Sequence, residues 1–418
     1  MAAKDGVQTQ GEGSVKVGDR SLATLEVGDP SGPLVLHNHG GPSSRLEAKV
    51  FEPQARALGL RFICVDRPGQ GKSDPHTDRT FASWAADLEA VANAVGAETY
   101  AVTGWSEGGP WALAAAAYLD PARLVHVTSI AGGSYGAFGG NWAAQDLSKV
   151  DAIGGFLALH FRPGFQLMYD LVDVATTRFP DKYKQGLLKA GCLADREVLA
   201  DARVLNLMAE SGGECFRHGA DGLVRDAQML YQAWPFDITE IRRPVHLWQG
   251  SADTFVPEAV NRPLGDRMPG AVWHEVPDGG HFIAVSHAAD ILSIAAQDLA
   301  KGRERPIAGL TTSPHFGHSW NDRPLHLLKG VRRASHSCAP SGRSSPGRCQ
   351  PMPKNAIWRG FRRGLGSSLR LFRARRKQGD PEIQRLCEEW DKELWDELHD
   401  DSEEFIRKGL DEPERRRA

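Results

Sequence analysis

The chain has 418 residues, 41% of them hydrophobic, which is enough for a large core and exceeds the usual size of one domain. Its net charge of -3 conceals two unlike parts: residues 1–301 carry 26 basic against 36 acidic residues, and residues 302–418 carry 24 against 17. The polar N-terminus lacks a secretory pattern, and the longest apolar run, Trp111 to Leu119, is too short to cross a bilayer. We therefore expect a cytoplasmic protein.

Strand-like and helix-like segments alternate up to residue 133 and again from residue 237. The strand-like runs are Ser14 to Val17, Leu22 to Val27, Pro33 to Leu36, Leu60 to Val65, Thr99 to Thr103, Leu124 to Ile130, Pro244 to Trp248 and Val272 to Val276. Parallel strands need long crossovers, and uncharged strands are covered on both faces. The alternation predicts an α/β fold with a mostly parallel, doubly wound sheet of about eight strands.

The remaining segments divide the chain into domains. Residues 14–133 and 237–300 form the predicted core, and the aromatic, helix-patterned residues 134–236 predict a helical cap inserted into it. Residues 301–353 are rich in Ser, Pro, Gly and Arg and predict a disordered linker. Residues 354–418 predict a charged tail of amphipathic helices, basic and then acidic.

Metal and cofactor signals are weak. The six cysteines are scattered, without the spacing of a zinc site or a disulfide framework, so we expect free thiols and no metal. Gly71, followed by Lys and Ser, resembles part of a phosphate-binding loop, but Asp66 stands where that loop needs its first glycine. We expect neither a cofactor nor a nucleic-acid partner.

The strongest local signal is a G-x-S-x-G pentapeptide, Gly104 to Gly108, with Ser106 at its centre. It directly follows a predicted strand and directly precedes a helix-patterned run, which is the context that a catalytic serine on a sharp turn requires. The glycines leave room in the turn, and the hydroxyl stands above the sheet at a helix N-terminus. We therefore predict that Ser106 is a nucleophile.

A serine nucleophile needs a base and an acid, which later loops supply. A histidine must take the serine proton, and a carboxylate must hold that histidine in the right tautomer. Asp253 follows the seventh predicted strand and His281 follows the eighth, so the pattern predicts a triad of Ser106, Asp253 and His281. Asp278 and His287 are weaker alternatives, since Asp278 shares the loop of His281 and His287 falls in the predicted final helix, from about residue 288 to 299.

Two backbone N–H groups must also face the charge that develops on the substrate oxygen. Glu107 offers the amide directly after the nucleophile, and Gly41 offers one in the glycine-rich turn after the third strand. The bulky Trp105 beside the nucleophile, with the aromatic cap, indicates a small, mostly apolar substrate. Glu210 and Glu214 in the cap are candidates to bind a substrate amine.

Five motifs together resemble the α/β-hydrolase superfamily with a helical cap, over roughly residues 14–300. They are the HGGP turn ending at Pro42, the DRPGQGKSD stretch after the fourth strand, GWSEGG, the GSAD loop and GGHF. The resemblance implies a serine hydrolase that forms an acyl-enzyme on an ester, thioester or amide. HGGP is also similar to the proline iminopeptidase branch, which usually continues with glycine where this chain has Ser43. Esterase-like and aminopeptidase-like activities both stay open.

A second hypothesis gives the same fold a non-catalytic role. In it the folded part binds a ligand or serves as a scaffold, and residues 354–418 bind a protein partner or an anionic membrane. In an alternative arrangement, the predicted basic helix pairs within the chain with the acidic helix that follows it, and not with a membrane. The complete set of triad candidates favours the enzyme.

Overall fold

The structure is a computed structural model that describes residues 11–140 and 142–304. Eight strands form one sheet: β1 (Gly11–Val17), β2 (Arg20–Gly28), β3 (Leu34–Asn38), β4 (Arg61–Val65), β5 (Tyr100–Trp105), β6 (Leu124–Ile130), β7 (Val245–Gly250) and β8 (Ala271–Val276). Their order in the sheet is β1-β2-β4-β3-β5-β6-β7-β8. β2 pairs antiparallel with β1 and β4, and the other neighbours pair in parallel, which confirms the predicted fold class.

Helices connect the strands. They are α1 (Ala48–Ala57), α2 (Phe81–Ala94), α3 (Gly108–Tyr118), α4 (Lys149–His160), α5 (Arg162–Arg178), α6 (Pro180–Ala190), α7 (Leu193–Leu199), α8 (Ala202–Cys215), α9 (Asp221–Tyr231), α10 (Glu258–Arg267), α11 (Ile283–Ser286) and α12 (Ala288–Glu304). Short 3₁₀ turns occupy Arg45–Glu47 and Ile238–Glu240. The helices α4 to α9 form one insertion between β6 and β7, where the sequence pattern predicted a break in the alternation.

The sheet is covered on both faces because its strands alternate between two apolar layers. In β4, Phe62 and Cys64 face the layer built with α1 and α12, whereas Ile63 and Val65 face the layer built with α2 and α3. A strand buried on both sides needs apolar residues at every position, which is why β4 reads as a continuous apolar run. Packing in the two layers holds the strands in place, and the strands in turn position the loops at the edge of the sheet.

The two outer limits of the predicted core differ from the sequence prediction. β1 begins at Gly11 rather than Ser14, because antiparallel pairing with β2 continues through residues whose small or polar side chains conceal a strand pattern. α12 continues to Glu304, into the first residues of the predicted linker. The rest of that linker and the predicted tail lie outside the described residues.

No helix among residues 11–140 and 142–304 combines the length and the apolar character needed to span a bilayer.

The turn from β5 to α3 is so tight that two of its glycines touch backbone. A Cβ added to Gly104 would lie 2.1 Å from the carbonyl oxygen of Gly108, and one added to Gly108 would lie 2.0 Å from that of Asn38. Both distances are far below van der Waals contact, and backbone atoms cannot swing aside as a flexible side chain can. The motif glycines are therefore required by packing against β3 and within the turn.

Replacing Gly108 with alanine tests this packing. The new Cβ must push β3 away from the turn, so Gly108→Ala should lower the free energy of unfolding by about 1–3 kcal/mol, the usual cost of overpacking. Urea unfolding followed by tryptophan fluorescence measures the change.

The matched control is Gly186→Ala in α6. This glycine is exposed, and a Cβ there meets nothing within 4 Å. Alanine should raise the free energy of unfolding by about 0.5–1 kcal/mol, because it stabilises a helix interior relative to glycine. Equal stabilisation by both substitutions would contradict the close packing of the turn.

Candidate active site

Ser106 sits in the turn between β5 and α3 in a strained backbone conformation. Its φ of 55° lies in the left-handed region that non-glycine residues rarely adopt. Three backbone hydrogen bonds hold it there: its N–H donates to Ile130 (2.9 Å), and its carbonyl oxygen accepts from Gly109 (3.0 Å) and Gly133 (2.9 Å). Such strain costs on the order of 1–3 kcal/mol and persists only where the surroundings enforce it. This backbone conformation places the Ser106 side chain at the start of α3.

Asp253 and His281 form a buried pair between the loops that follow β7 and β8. The Asp253 Oδ2 atom lies 2.9 Å from His281 Nδ1. The other carboxylate oxygen accepts from the backbone N–H groups of Phe255 (2.8 Å) and Val256 (2.9 Å), which fixes the carboxylate in its loop. Burial of the ring favours neutral His281, but the charge of Asp253 and the hydrogen bond to it outweigh burial and raise the imidazole pKa.

Ser106 and His281 line the same cavity, which has a volume of about 340 Å³. Trp105, the residue before the serine, connects the serine turn to the loop that carries His281. Its Nε1 donates to the backbone oxygen of His281 at 3.0 Å. Within the described part of the chain, the Ser106 hydroxyl makes no hydrogen bond, to His281 or otherwise. Catalytic hydrogen bonds are often loose without substrate, so this geometry is compatible with a nucleophile and its base.

The alternative acid and base lie elsewhere. The Asp278 amide donates to Ser251 Oγ at 2.9 Å, and its exposed carboxylate has no contact with the His281 ring among the described residues. His287 ends α11, and its ring lies 2.9 Å from Ser286 Oγ. It therefore precedes α12 rather than lying inside it, and neither residue joins the Asp253–His281 pair.

The turn after β3 is organised by Glu47, a residue that the sequence analysis did not single out. Both of its carboxylate oxygens accept from the Gly40 N–H (3.1 and 3.2 Å), and they also contact Ser43 Oγ (2.6 Å) and His37 Nε2 (2.8 Å). The Gly41 N–H has no partner among residues 11–140 and 142–304. Glu47 thus engages one amide of the turn and leaves the next one unbonded.

The Glu107 amide is the second unbonded donor. It has no partner in the described residues, and it lies one residue beyond Ser106 at the start of α3. The Glu107 side chain packs on Gly41, since a Cβ on that glycine would lie 2.1 Å from its Oε2. The two predicted amide donors therefore belong to residues in direct contact across the turn.

Arg67 in the DRPG stretch supports the same turn. Its guanidinium donates to the backbone oxygens of His39 and Gly40, the latter at 3.1 Å, and to Asp226 Oδ2 at 2.6 Å. Asp226 lies in the inserted helix α9 and also pairs with Arg79. In the sequence, Arg67 is marked only by standing beside Asp66 directly after an apolar strand. Nothing in the sequence indicates that its partner lies in the insertion.

A second contact joins the insertion to the histidine loop. The Asp195 carboxylate on α7 accepts from the backbone N–H of Phe282 at 2.9 Å. Burial lowers the His281 pKa and Asp253 raises it, and the charge of the buried Asp195 adds a smaller contribution that also raises it. The sequence offered no signal for this residue, which is one of many acids in helical segments.

The acids inside the cavity are not those that the sequence indicated. Glu214 pairs with Arg45 and Arg217, and the exposed Glu210 lies 3.6 Å from Lys49, so neither lines the cavity. Three other acids line it: Glu107, Asp151 and Glu47, whose carboxylate is already bonded within the turn. Burial raises the pKa of Glu107 to about 7 and also raises that of Asp151. A Glu107 carboxyl with this pKa is half protonated near neutral pH.

Comparisons with known proteins identify the family to which the fold belongs. Residues 33–288 match the alpha/beta hydrolase fold family. The chain is 36% identical over 121 residues to a proline iminopeptidase of Xanthomonas citri, a match over 28% of this chain and only 37% of that protein. It is 29% identical over 273 residues to a pimeloyl-[acyl-carrier protein] methyl ester esterase of Chromobacterium violaceum, over 64% of this chain and 94% of that one.

Among solved structures, it resembles a bromoperoxidase from Bacillus anthracis with a TM-score of 0.52 and 17% identity, over 68% of this chain and 99% of that one. At that identity the structural likeness shows the fold alone. The family match covers more than half of the chain, so the protein belongs to the α/β-hydrolase family and is a hydrolase.

The Asp253–His281 pair can be tested by titration. Asp253→Asn removes the charge that outweighs burial, so the His281 pKa should fall below its ordinary value. NMR titration of the imidazole signals, assigned by the signal missing from His281→Gln, measures the shift. Asp278→Asn is the control and should leave the titration of His281 unchanged. Equal pKa values for His281 in wild type and Asp253→Asn would contradict the pairing.

Proposed function

We propose that the protein is a serine hydrolase that cleaves a carboxylic ester of a small, mostly apolar molecule through an acyl-enzyme. The observation that carries the proposal is that Ser106 and the His281–Asp253 pair meet at one cavity. The chain also supplies two unbonded amides, those of Gly41 and Glu107, beside the serine. These are the parts that acyl transfer to a serine requires.

In the first step, the Ser106 oxygen attacks the substrate carbonyl carbon and its proton passes to His281 Nε2. Asp253 accepts the Nδ1–H bond, which leaves Nε2 free to act as the base. The oxygen of the tetrahedral intermediate receives hydrogen bonds from the Gly41 and Glu107 amides, each worth about 3–4 kcal/mol to the transition state. His281 then protonates the leaving alcohol, and water repeats the sequence to release the acid.

The cavity walls favour an apolar acyl group. The inserted helices cover the site as a cap, and their aromatic and aliphatic side chains line it: Tyr169, Val172, Tyr183, Leu187, Met208 and Tyr231. Pockets of this kind bind apolar groups and use a few polar atoms for orientation. The esterase relative, whose name gives a pimeloyl-[acyl-carrier protein] methyl ester as its substrate, supports an ester of an acyl chain.

A second candidate substrate is an aminoacyl amide or ester. The observation that favours it is that two cavity acids besides the turn-bonded Glu47, namely Glu107 and Asp151, could hold a substrate ammonium group close to the serine. The partial match to a proline iminopeptidase points the same way. The raised pKa values of both acids weaken this candidate, because protonated carboxyls attract an ammonium group less strongly.

Removing the serine hydroxyl tests the mechanism. Ser106→Ala should lose labelling by a fluorophosphonate probe and lose turnover of a p-nitrophenyl ester by a factor of at least about 10³, as expected for a nucleophile. The control is Ser134→Ala, which removes a buried hydroxyl without a hydrogen-bond partner in the described structure and should leave labelling intact. Labelling that survives in Ser106→Ala would eliminate this serine as the nucleophile.

A substrate panel distinguishes the two candidates. We expect a higher kcat/KM for p-nitrophenyl acyl esters than for aminoacyl naphthylamides, because the walls are apolar and Glu107, with a pKa of about 7, is partly protonated. Glu107→Gln should change the ester KM by less than about threefold, since it keeps the backbone amide and the shape of the side chain. A preference for aminoacyl substrates that Glu107→Gln abolishes would establish the aminopeptidase instead.

A further inference from the structure

Polar residues interrupt the apolar layer between the sheet and α12. His126 in β6, His246 in β7 and His274 in β8 lie on neighbouring parallel strands, and Asp298 in α12 lies against the first two. The His126 side chain is fully buried, and those of His246 and Asp298 are 11% and 23% exposed. Polar side chains are uncommon in an apolar layer, and here they are retained because they bond to one another.

Three of these side chains bring one candidate ligand atom each close together. Asp298 Oδ2 lies 3.0 Å from His126 Nδ1 and 3.6 Å from His246 Nε2. One candidate ligand atom from each of the three residues lies within 4.8 Å of the other two. In a tetrahedral zinc site with bonds of 2.0–2.1 Å, ligand atoms are about 3.3 Å apart. Small side-chain shifts would therefore suffice to place one ion between them.

The other nitrogen of each histidine is already engaged. His126 Nε2 lies 2.7 Å from Thr128 Oγ1, and His246 Nδ1 lies 2.8 Å from His274 Nε2. Ligand histidines in metal sites are held in this way, because a hydrogen bond at one ring nitrogen fixes the tautomer that offers the other nitrogen to the metal. The second carboxylate oxygen of Asp298 pairs with Lys301 at 3.0 Å and leaves Oδ2 for the ion.

We propose that His126 Nδ1, His246 Nε2 and Asp298 Oδ2 bind a zinc ion, with His274 and Thr128 orienting the two imidazoles. Two nitrogen ligands and one carboxylate oxygen suit zinc, and water takes the fourth position through the partly exposed side of Asp298. For His126 Nδ1 to bind the ion, the proton of its hydrogen bond to Asp298 moves to Nε2, which faces Thr128 Oγ1, because a ligand nitrogen must be deprotonated.

The site is separate from the catalytic loops. His126 and His246 lie in the first halves of β6 and β7, whereas Asp253 and His281 follow the ends of their strands. An ion there would connect two strands of the sheet to α12, the helix that also packs against α1. Its role is therefore to stabilise the fold, and zinc removal should lower the unfolding temperature without removing a catalytic group.

Zinc binding to the chelator-treated full chain tests the proposal. Calorimetric titration and thermal unfolding, followed by tryptophan fluorescence, should show one site whose occupation raises the unfolding temperature. Asp298→Asn and His246→Gln should each weaken that site by about 100-fold and abolish the rise, while His274→Gln should weaken it by about 10-fold to 100-fold. Ester turnover and circular dichroism confirm that each variant is folded.

The matched control is Asp290→Asn, which removes an exposed acid from the same helix and should bind zinc as the wild type does. Histidines and cysteines beyond residue 304 are present in every variant, so only the difference between variants reports on this site. If zinc leaves the wild-type unfolding temperature unchanged, or raises that of the wild type and both ligand variants equally, the proposal is wrong.

Discussion

The hydrogen bond between Asp253 and His281 is the interaction on which the rest of the site depends. It joins the loops after β7 and β8, and it works only because parallel pairing brings the carboxyl ends of those strands to the same edge of the sheet. Burial alone would favour a neutral imidazole with a low pKa and no fixed orientation. The carboxylate reverses the direction of the pKa shift and selects the tautomer, and two backbone N–H groups hold the carboxylate itself in place.

A second constraint is the distribution of backbone amides around the serine. Glu47 engages the Gly40 N–H, and Arg67 engages the carbonyl oxygens of His39 and Gly40, so these groups are bonded and fixed. The Gly41 and Glu107 N–H groups are left without a partner among the described residues. Unbonded donors in a buried site are costly, and active sites retain them where a substrate completes the hydrogen bonds.

The fold and the three triad candidates were predictable from sequence because their signals are local. A continuous apolar run marks β4, and a glycine pair around Ser106 marks the turn whose backbone contacts require it. Residues that act through distant partners gave no such signal. Arg67 pairs with Asp226, which lies far along the chain in the insertion. The histidines of β6, β7 and β8 come together only when the strands pair. In the sequence, each of them looks like an isolated polar residue in an apolar strand.

The insertion does more than cover the cavity, because its acids are bonded to the parts that position the chemistry. Asp226 holds Arg67 beneath the turn that carries Gly41, and Asp195 holds the loop that carries His281. Each is a buried carboxylate whose partner would lose its bond if the insertion moved away, and an uncompensated buried charge costs several kcal/mol. Opening the cavity by rigid displacement of these helices would therefore disturb the amides and the base together. In the proposed mechanism, substrate therefore enters between side chains while the contacts of Asp195 and Asp226 stay intact.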